Sequence, residues 1–208
     1  MSTDRPSLTR VGIRFLLTLV GVMALWLVFL EPGYDRFVAN VGVLVLHGLE
    51  SPRMTGSVRM DGAQAVVSHT DVYRDVGEQH LELRTHHNNA PLLIALILAT
   101  PGLARARRER TLLIGMLILA VTHVLHFMLE VQLDYAFANI GPYRVTDLHY
   151  LNRGLWQSLD NSAQVAKLLV AYVRTFYTHV GRLLMPILLW MILCRDALWV
   201  FTPRRDHR

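Results

Sequence analysis

The stretch from Leu83 to Glu130 constrains the fold most, because two uncharged apolar segments there flank a short basic one. The first apolar segment is Ala90 to Ala104, and the second is Thr111 to Leu129. The second is close to the roughly 20 residues that a helix needs to cross a bilayer. The pattern predicts a helical hairpin in a membrane over residues 90–130.

The basic segment, Arg105 to Arg110, gives this hairpin a direction. Lys and Arg are enriched in the short loops on the cytoplasmic side of membrane proteins. We therefore expect the tip of the hairpin to be a cytoplasmic loop, and the polar residues His86 to Asn89 to face the outer side.

The composition agrees with a membrane protein. The chain is 52% hydrophobic, and its mean hydropathy of +0.31 exceeds what the core of a soluble domain of this size needs. The formal net charge of +5 comes from arginines grouped beside apolar segments, as is typical of contact with a lipid bilayer rather than with nucleic acid.

The N-terminal part contains two further apolar segments. Phe15 to Leu30 is uncharged, follows three arginines, and lacks a small-x-small cleavage site in Glu31 to Tyr34. These features predict a permanent anchor with a cytoplasmic N-terminus. Phe37 to Leu49 is too short to span, so we expect it in the outer interface or packed against the helices.

Residues 31–89 are predicted to form an extracytoplasmic insert with a small β element. Asp61-Gly62 separates Ser57–Met60 from Ala65–Val67, which is a signal for a tight hairpin turn. His80–Arg84 alternates with period two and predicts a third strand.

The C-terminal part is predicted to return to the cytoplasm. Asp160 to Ser162 offers helix caps ahead of a helix over residues 162–200, whose last span is Thr175 to Cys194 with a kink at Pro186. The predicted fold class is an all-α polytopic membrane protein with about four transmembrane helices and a small extracytoplasmic β-hairpin element, forming a single domain over residues 1–208.

Ionisable residues inside these spans are candidates for function, because burying them in a membrane is costly. His123, His126 and Glu130 are each about one helical turn apart and lie on the same face of the helix. They either make packing hydrogen bonds or form part of a site with His179, which lies toward the outer end of the last span. Several histidines with Glu130 would also suit a transition metal, but the chain has no compact ligand motif, so neither a metal nor a cofactor is predicted.

The single cysteine, Cys194, follows the last span and precedes Arg195. One cysteine excludes an intramolecular disulfide. Its position predicts the inner face, so it cannot serve a site that faces outward.

The segment Leu83-Arg84-Thr85-His86-His87-Asn88-Asn89, placed after a strand and before an apolar helix, carries a resemblance. Together with the anchor, the basic segment and the later histidines, the layout resembles the shorter members of the exosortase/archaeosortase family. These are membrane cysteine transpeptidases that process proteins with a C-terminal sorting tail.

The resemblance implies a site at the outer face formed by His87, His126 and His179. Asn88 matches the family's Cys-Asn-Gly-like motif, where His87 stands in place of the nucleophilic cysteine. His126 stands in place of the family's arginine, and His179 corresponds to its histidine. The resemblance therefore implies either a non-peptidase relative or a reaction based on histidine, and leaves open whether the chain is an enzyme.

The positions of the basic segments predict a multi-pass inner-membrane protein with both termini cytoplasmic. The resemblance implies that it takes part in processing, sorting or export of envelope proteins. Its expected partners are the lipid bilayer and envelope proteins with a sorting tail, and not nucleic acid. Two alternatives remain open: a histidine-rich metal- or haem-binding membrane protein, and a structural subunit of a membrane complex.

Overall fold

The computed structural model describes residues 8–50, 55–69, 78–83, 87–137, 172 and 175–198. Its contacts divide the chain into two compact units. The helical unit comprises Met1–Glu31, His87–Val121 and Arg182–Arg208. The sheet unit comprises Pro32–His86 and Thr122–Gly181.

The described residues are mostly helical. The elements in chain order are α1 (Leu8–Leu25), a π-helical turn (Trp26–Leu30), α2 (Glu31–Leu49), β1 (Thr55–Asp61), β2 (Gln64–His69), β3 (Gln79–Glu82), α3 (Asn89–Ala99), α4 (Arg105–Phe137), a second π-helical turn (Tyr177–Gly181), α5 (Arg182–Leu193) and α6 (Arg195–Leu198).

The first helix continues through the point where the sequence predicts a break. α1, the π-helical turn and α2 follow one another without a gap, so Phe37 to Leu49 is part of one long helix and not a separate short segment. Pro32 directly follows the π-helical turn and, having no N–H, cannot make the backbone hydrogen bond that other residues inside this long helix make. The wide turn before it is closed by a bond from the Glu31 N–H to the Trp26 carbonyl, five residues back.

Among the described residues, two helices are long and apolar enough to cross a membrane, Thr9–Leu49 and Arg105–Gln132. The apolar helices Asn89–Ala99 and Tyr177–Leu193 are shorter. In the most apolar 18-residue stretch of Thr9–Leu49, only 6% is buried within the protein. This helix therefore presents most of its apolar side chains outward. The prediction of a helical membrane protein with a small β element is thus confirmed, while a count of four spanning helices is not.

In the helical unit, α3 lies at the centre. It packs against both α1 and α5, and a Cβ on Gly115 of α4 would lie 3.0 Å from the side chain of Leu93. α3 is apolar on all sides, with Leu93, Ala95, Ile97 and Ala99 buried. A helix that is apolar all round is expected to be enclosed by other elements.

The C-terminal carbonyls of α3 are satisfied by its neighbours. The Arg14 guanidinium donates to the Leu98 carbonyl at 3.3 Å, and Arg108 donates to the Thr100 carbonyl at 3.3 Å. Trp190 Nε1 donates to Thr100 Oγ1 at 2.7 Å. Cations are favourable at a helix C-terminus because of the helix dipole, so these contacts hold α1, α4 and α5 against the end of α3.

The predicted hairpin differs from the structure at its tip. α3 ends at Ala99 rather than near Ala104, and the basic segment begins α4 instead of forming a loop. Arginine and alanine favour helix, and Arg105 also pairs with Glu109 one turn later, at 2.9 Å. α4 then continues past residue 130, the predicted end of the hairpin, to Phe137.

The sheet unit contains the predicted β element. Its three antiparallel strands lie in the order β1-β2-β3, which confirms both the hairpin and the third strand. The turn falls on Gly62-Ala63, one residue later than predicted, because Asp61 still pairs with Gln64. Gly62 adopts φ 60°, a conformation that favours glycine.

The core of the sheet unit joins the sheet to α2 and α4. The inward side chains of all three elements are buried in one apolar cluster: Val38, Ala39, Val43, Leu46, Ala65, Val67, Leu81, Leu83, Val124, Phe127 and Val131. The helical members recur every three or four residues and the strand members every two, as the two backbone geometries require.

The carboxylate of Glu50, just past α2, makes hydrogen bonds that stabilise one end of this core. It accepts hydrogen bonds from the Thr55 N–H at 2.8 Å, from Thr55 Oγ1 at 2.7 Å and from Gln132 Nε2 at 2.8 Å. Burial lowers the pKa of the nearby His69 imidazole below its ordinary 6.5, and the Glu50 carboxylate opposes that shift. Glu50 thus ties the end of α2 to β1 and to α4.

Two predicted features lie outside the described residues. They are the caps at Asp160 to Ser162 and most of the first half of the helix over residues 162–200. The described part of that helix is residues 175–198, with Pro186 inside α5 and a π-helical turn one turn before it. The single-domain boundaries over residues 1–208 stay a prediction.

Candidate functional site

The sheet unit holds a buried polar cluster formed by Tyr34, His123, His126, Glu130 and Tyr177. Its first pair joins α2 to α4: the Tyr34 hydroxyl and His123 Nδ1 lie 2.7 Å apart in a hydrogen bond. The two rings meet edge to face, with centroids 5.7 Å apart and an angle of 88°. His123 is only 1% exposed, whereas Tyr34 is half-buried, so the histidine side of this contact is enclosed by protein.

The second pair lies one turn further along α4. His126 Nε2 lies 3.5 Å from Glu130 Oε1, and both side chains are 6% exposed. The Tyr177 ring packs on the His126 ring with centroids 4.7 Å apart. The predicted stripe of His123, His126 and Glu130 is therefore buried along α4, and each histidine also has an aromatic neighbour.

His179 lies in a different environment from His126. It stands in the π-helical turn, its side chain is exposed, and its Nδ1 lies 2.9 Å from the Thr175 carbonyl. Tyr177, two residues earlier, supplies the ring that packs on His126. The exposed position of His179 makes it accessible from solvent or from a partner.

His87 belongs to the helical unit, where it directly precedes α3 and is 1% exposed. Asn88 occupies the N-cap position of α3 but makes no capping hydrogen bond with its side chain. Asn89 is 3% exposed, and within the described residues its side-chain amide has no hydrogen-bond partner. A buried unpaired amide costs about 1–3 kcal/mol, so capping of α3 alone does not account for Asn89.

The chemistry available to the polar cluster is proton exchange and hydrogen bonding. Imidazole paired with phenol or carboxylate can hold a proton at either partner. Among the described residues, no group of three or more His, Cys, Asp or Glu side chains is arranged to hold a metal ion. The geometry therefore provides paired acid-base groups, each already engaged within the fold.

The only cysteine offers no exposed nucleophile. Cys194 is 0% exposed at the end of α5. A reactive cysteine needs an accessible thiolate. The predicted position of Cys194 at the inner face stays a prediction.

Sequence reasoning missed the two tyrosines of the polar cluster. Tyr34 directly precedes Asp35 in the long, largely apolar first helix, and Tyr177 precedes His179 by two residues. A polar aromatic residue within an apolar helix is a usable signal, since a buried tyrosine hydroxyl normally finds a partner. The predicted anchor helix ends at Leu30, so Tyr34 is not among the residues expected to contact another helix.

Apolar helices that carry buried ionisable side chains, together with a small antiparallel sheet, define a helical membrane protein with an internal polar cluster. Residues 5–197 match the family of the Exosortase H-associated membrane protein, and the chain belongs to this family. It is therefore a membrane protein of the exosortase system. Searches of curated proteins and of solved structures found no match.

The family membership confirms the predicted link to exosortases at the level of the system. The residue-level prediction, in which His87 and His126 replace the family cysteine and arginine, stays a prediction. The membership also agrees with the alternative of a subunit in a membrane complex, since the family is described as associated with an exosortase.

Proposed function

We propose that this protein is a non-catalytic membrane partner of an exosortase, and that it supports the processing of envelope proteins with a C-terminal sorting tail. The observation that carries the proposal is the family match over residues 5–197, whose description is of an exosortase-associated membrane protein. In this role the protein binds the transpeptidase and its own side chains take no part in bond cleavage.

The state of the thiol supports this role. Exosortase-type transpeptidation uses a cysteine nucleophile, whereas the single cysteine of this chain, Cys194, is fully buried. The polar cluster supports it too, because Tyr34 joins α2 to His123 of α4 and Tyr177 packs on His126, so these side chains connect elements of the fold.

The proposed topology has four apolar segments in the inner membrane and both termini in the cytoplasm. The segments are α1, α3, the first half of α4, and α5. Arginines at the start of α1, at the start of α4 and after α5 satisfy the positive-inside rule. Residues 32–86, with the sheet, are the proposed extracytoplasmic part.

Co-purification tests the proposed partnership. The tagged chain is co-expressed with the exosortase H of the same cell, extracted in a mild detergent and captured by its tag. We expect the exosortase to be recovered with the chain, and an unrelated polytopic protein of similar size, expressed at the same level, to be absent. Recovery of both proteins or of neither, with the tagged chain folded, contradicts the proposal.

A substitution at His179 separates the accessory role from catalysis by His87, His126 and His179. Because His179 is exposed and bonds only a backbone carbonyl one turn away, His179→Ala should leave the fold intact. The accessory role predicts unchanged processing of the tailed envelope protein, measured by the ratio of processed to unprocessed protein in cells. Loss of processing at normal abundance would instead support a histidine-based reaction.

A further inference from the structure

A groove lies on the helical unit between the first turns of α4 and the end of α5. It has a volume of about 550 Å³ and is lined by Ala106, Arg107, Arg110, Thr111, Ile114 and Leu193. Sites for small ligands commonly have volumes of about 300–1,000 Å³. The groove is therefore large enough for part of an amphiphilic molecule.

The groove is charged at one end and apolar at the other. Arg107 and Arg110 stand on the first two turns of α4, whereas Ile114 and Leu193 line the part further along the helices. Past Ile114, the apolar side chain of Leu117 is 63% exposed. A molecule that fits both ends must have an anionic head and an apolar tail.

The two arginines differ in what they already bind. Arg107 donates to the Asp196 carboxylate at 2.5 Å, and this bond lowers the pKa of Asp196. Arg110 is exposed and makes no ion pair within the described part of the chain. Guanidinium groups bind phosphate through paired N–H donors, so Arg110 can bind a phosphate directly, while Arg107 must first exchange its bond to Asp196.

We propose that this groove binds one anionic phospholipid, with its phosphate at Arg107 and Arg110 and an acyl chain along Ile114 and Leu193. Charge complementarity selects the headgroup, because a zwitterionic lipid carries a cationic group that the arginines repel. The positive end of the α4 dipole adds to the same preference. Asp196 competes with the phosphate for Arg107, so it limits the affinity of the site.

The test is lipid binding to the purified full-length protein in a neutral detergent. Phosphatidylglycerol or phosphatidylcholine of the same chain length is titrated, and the bound lipid is counted by native mass spectrometry. We expect phosphatidylglycerol to bind at least about tenfold more tightly, with one lipid per chain at saturation. Equal affinity for the two lipids would overturn the proposal.

Matched variants separate this site from a general attraction of lipid to basic residues. Arg110→Gln should weaken phosphatidylglycerol binding about fivefold, whereas Arg105→Gln should not, because Arg105 is paired with Glu109 and does not line the groove. Asp196→Asn should strengthen binding, and Glu109→Gln, with the same change of charge, should not. Equal effects of Arg110→Gln and Arg105→Gln would show that no specific site exists.

Free inorganic phosphate offers the two arginines the same anionic group as the lipid headgroup does. Inorganic phosphate at millimolar concentration should not displace phosphatidylglycerol, because the apolar part of the groove contributes to lipid binding only. Complete displacement would show that the groove is an ordinary phosphate site and would contradict the proposal.

Discussion

Replacing Glu50 by alanine should lower the free energy of unfolding by about 2–4 kcal/mol. The carboxylate accepts three hydrogen bonds, two from Thr55 and one from Gln132. Hydrogen bonds to a charged group contribute about 1.5–3 kcal/mol each, and losing the acceptor leaves buried donors unpaired. Partial solvent access at Glu50 keeps the total below the sum of three such bonds. Unfolding by denaturant in detergent, followed by circular dichroism, measures the effect.

Two variants act as controls for Glu50→Ala. Glu50→Gln keeps the shape and one carbonyl acceptor, so it should lose less than the alanine variant. Glu82→Ala removes an exposed acid from β3 and should change the unfolding free energy by less than about 0.5 kcal/mol. Equal losses from Glu50→Ala and Glu82→Ala would show that the three bonds at Glu50 do not stabilise the sheet unit.

Gly42→Ala should destabilise the protein by about 1–3 kcal/mol, because an added methyl group overpacks a filled contact. Gly42 of α2 faces the Phe127 ring of α4, and an added Cβ would lie 2.8 Å from Phe127 Cε1. Phe127 is 2% exposed within the core, so a shift of its ring must displace neighbouring side chains. The same unfolding measurement applies.

The matched control for Gly42→Ala is Gly48→Ala on the same helix. An added Cβ at Gly48 meets nothing within 4 Å, so alanine there should be neutral or stabilise by up to about 1 kcal/mol. Adding Phe127→Leu to Gly42→Ala should recover part of the loss, giving a double variant less unstable than the sum of the singles. Strict additivity would show that the two residues do not press on each other.

Local patterns in the sequence predicted those parts of the fold that local geometry determines. Period-two alternation over His80–Arg84 predicts the third strand, and the spacing of His123, His126 and Glu130 predicts a shared face on α4. Both predictions follow from the periodicity with which side chains return to the same face, about 2 residues in a strand and about 3.6 residues in a helix. The structure confirms both features.

Features that depend on contacts between elements could not be predicted in this way. Glu31-Pro32-Gly33 has the composition of a turn, yet the helix passes through it because a wide turn precedes the proline. The Tyr34 contact to His123 joins residues 89 positions apart, and no local pattern records such a partner. The same holds for Glu50 and Gln132.

The length of α3 has a consequence for how the helical unit enters a bilayer. Eleven residues of helix extend for about 16 Å, roughly half the thickness of the hydrocarbon layer. A helix that reaches only about half-way across this layer has one end among the acyl chains. Backbone polar groups at that end must be surrounded by protein rather than by lipid. The burial of His87 and Asn89 at the start of α3 and the arginine contacts at its end provide that enclosure. In the proposed topology, α3 therefore depends on α1, α4 and α5 for insertion, and the four helices are expected to enter the membrane as one cooperative body.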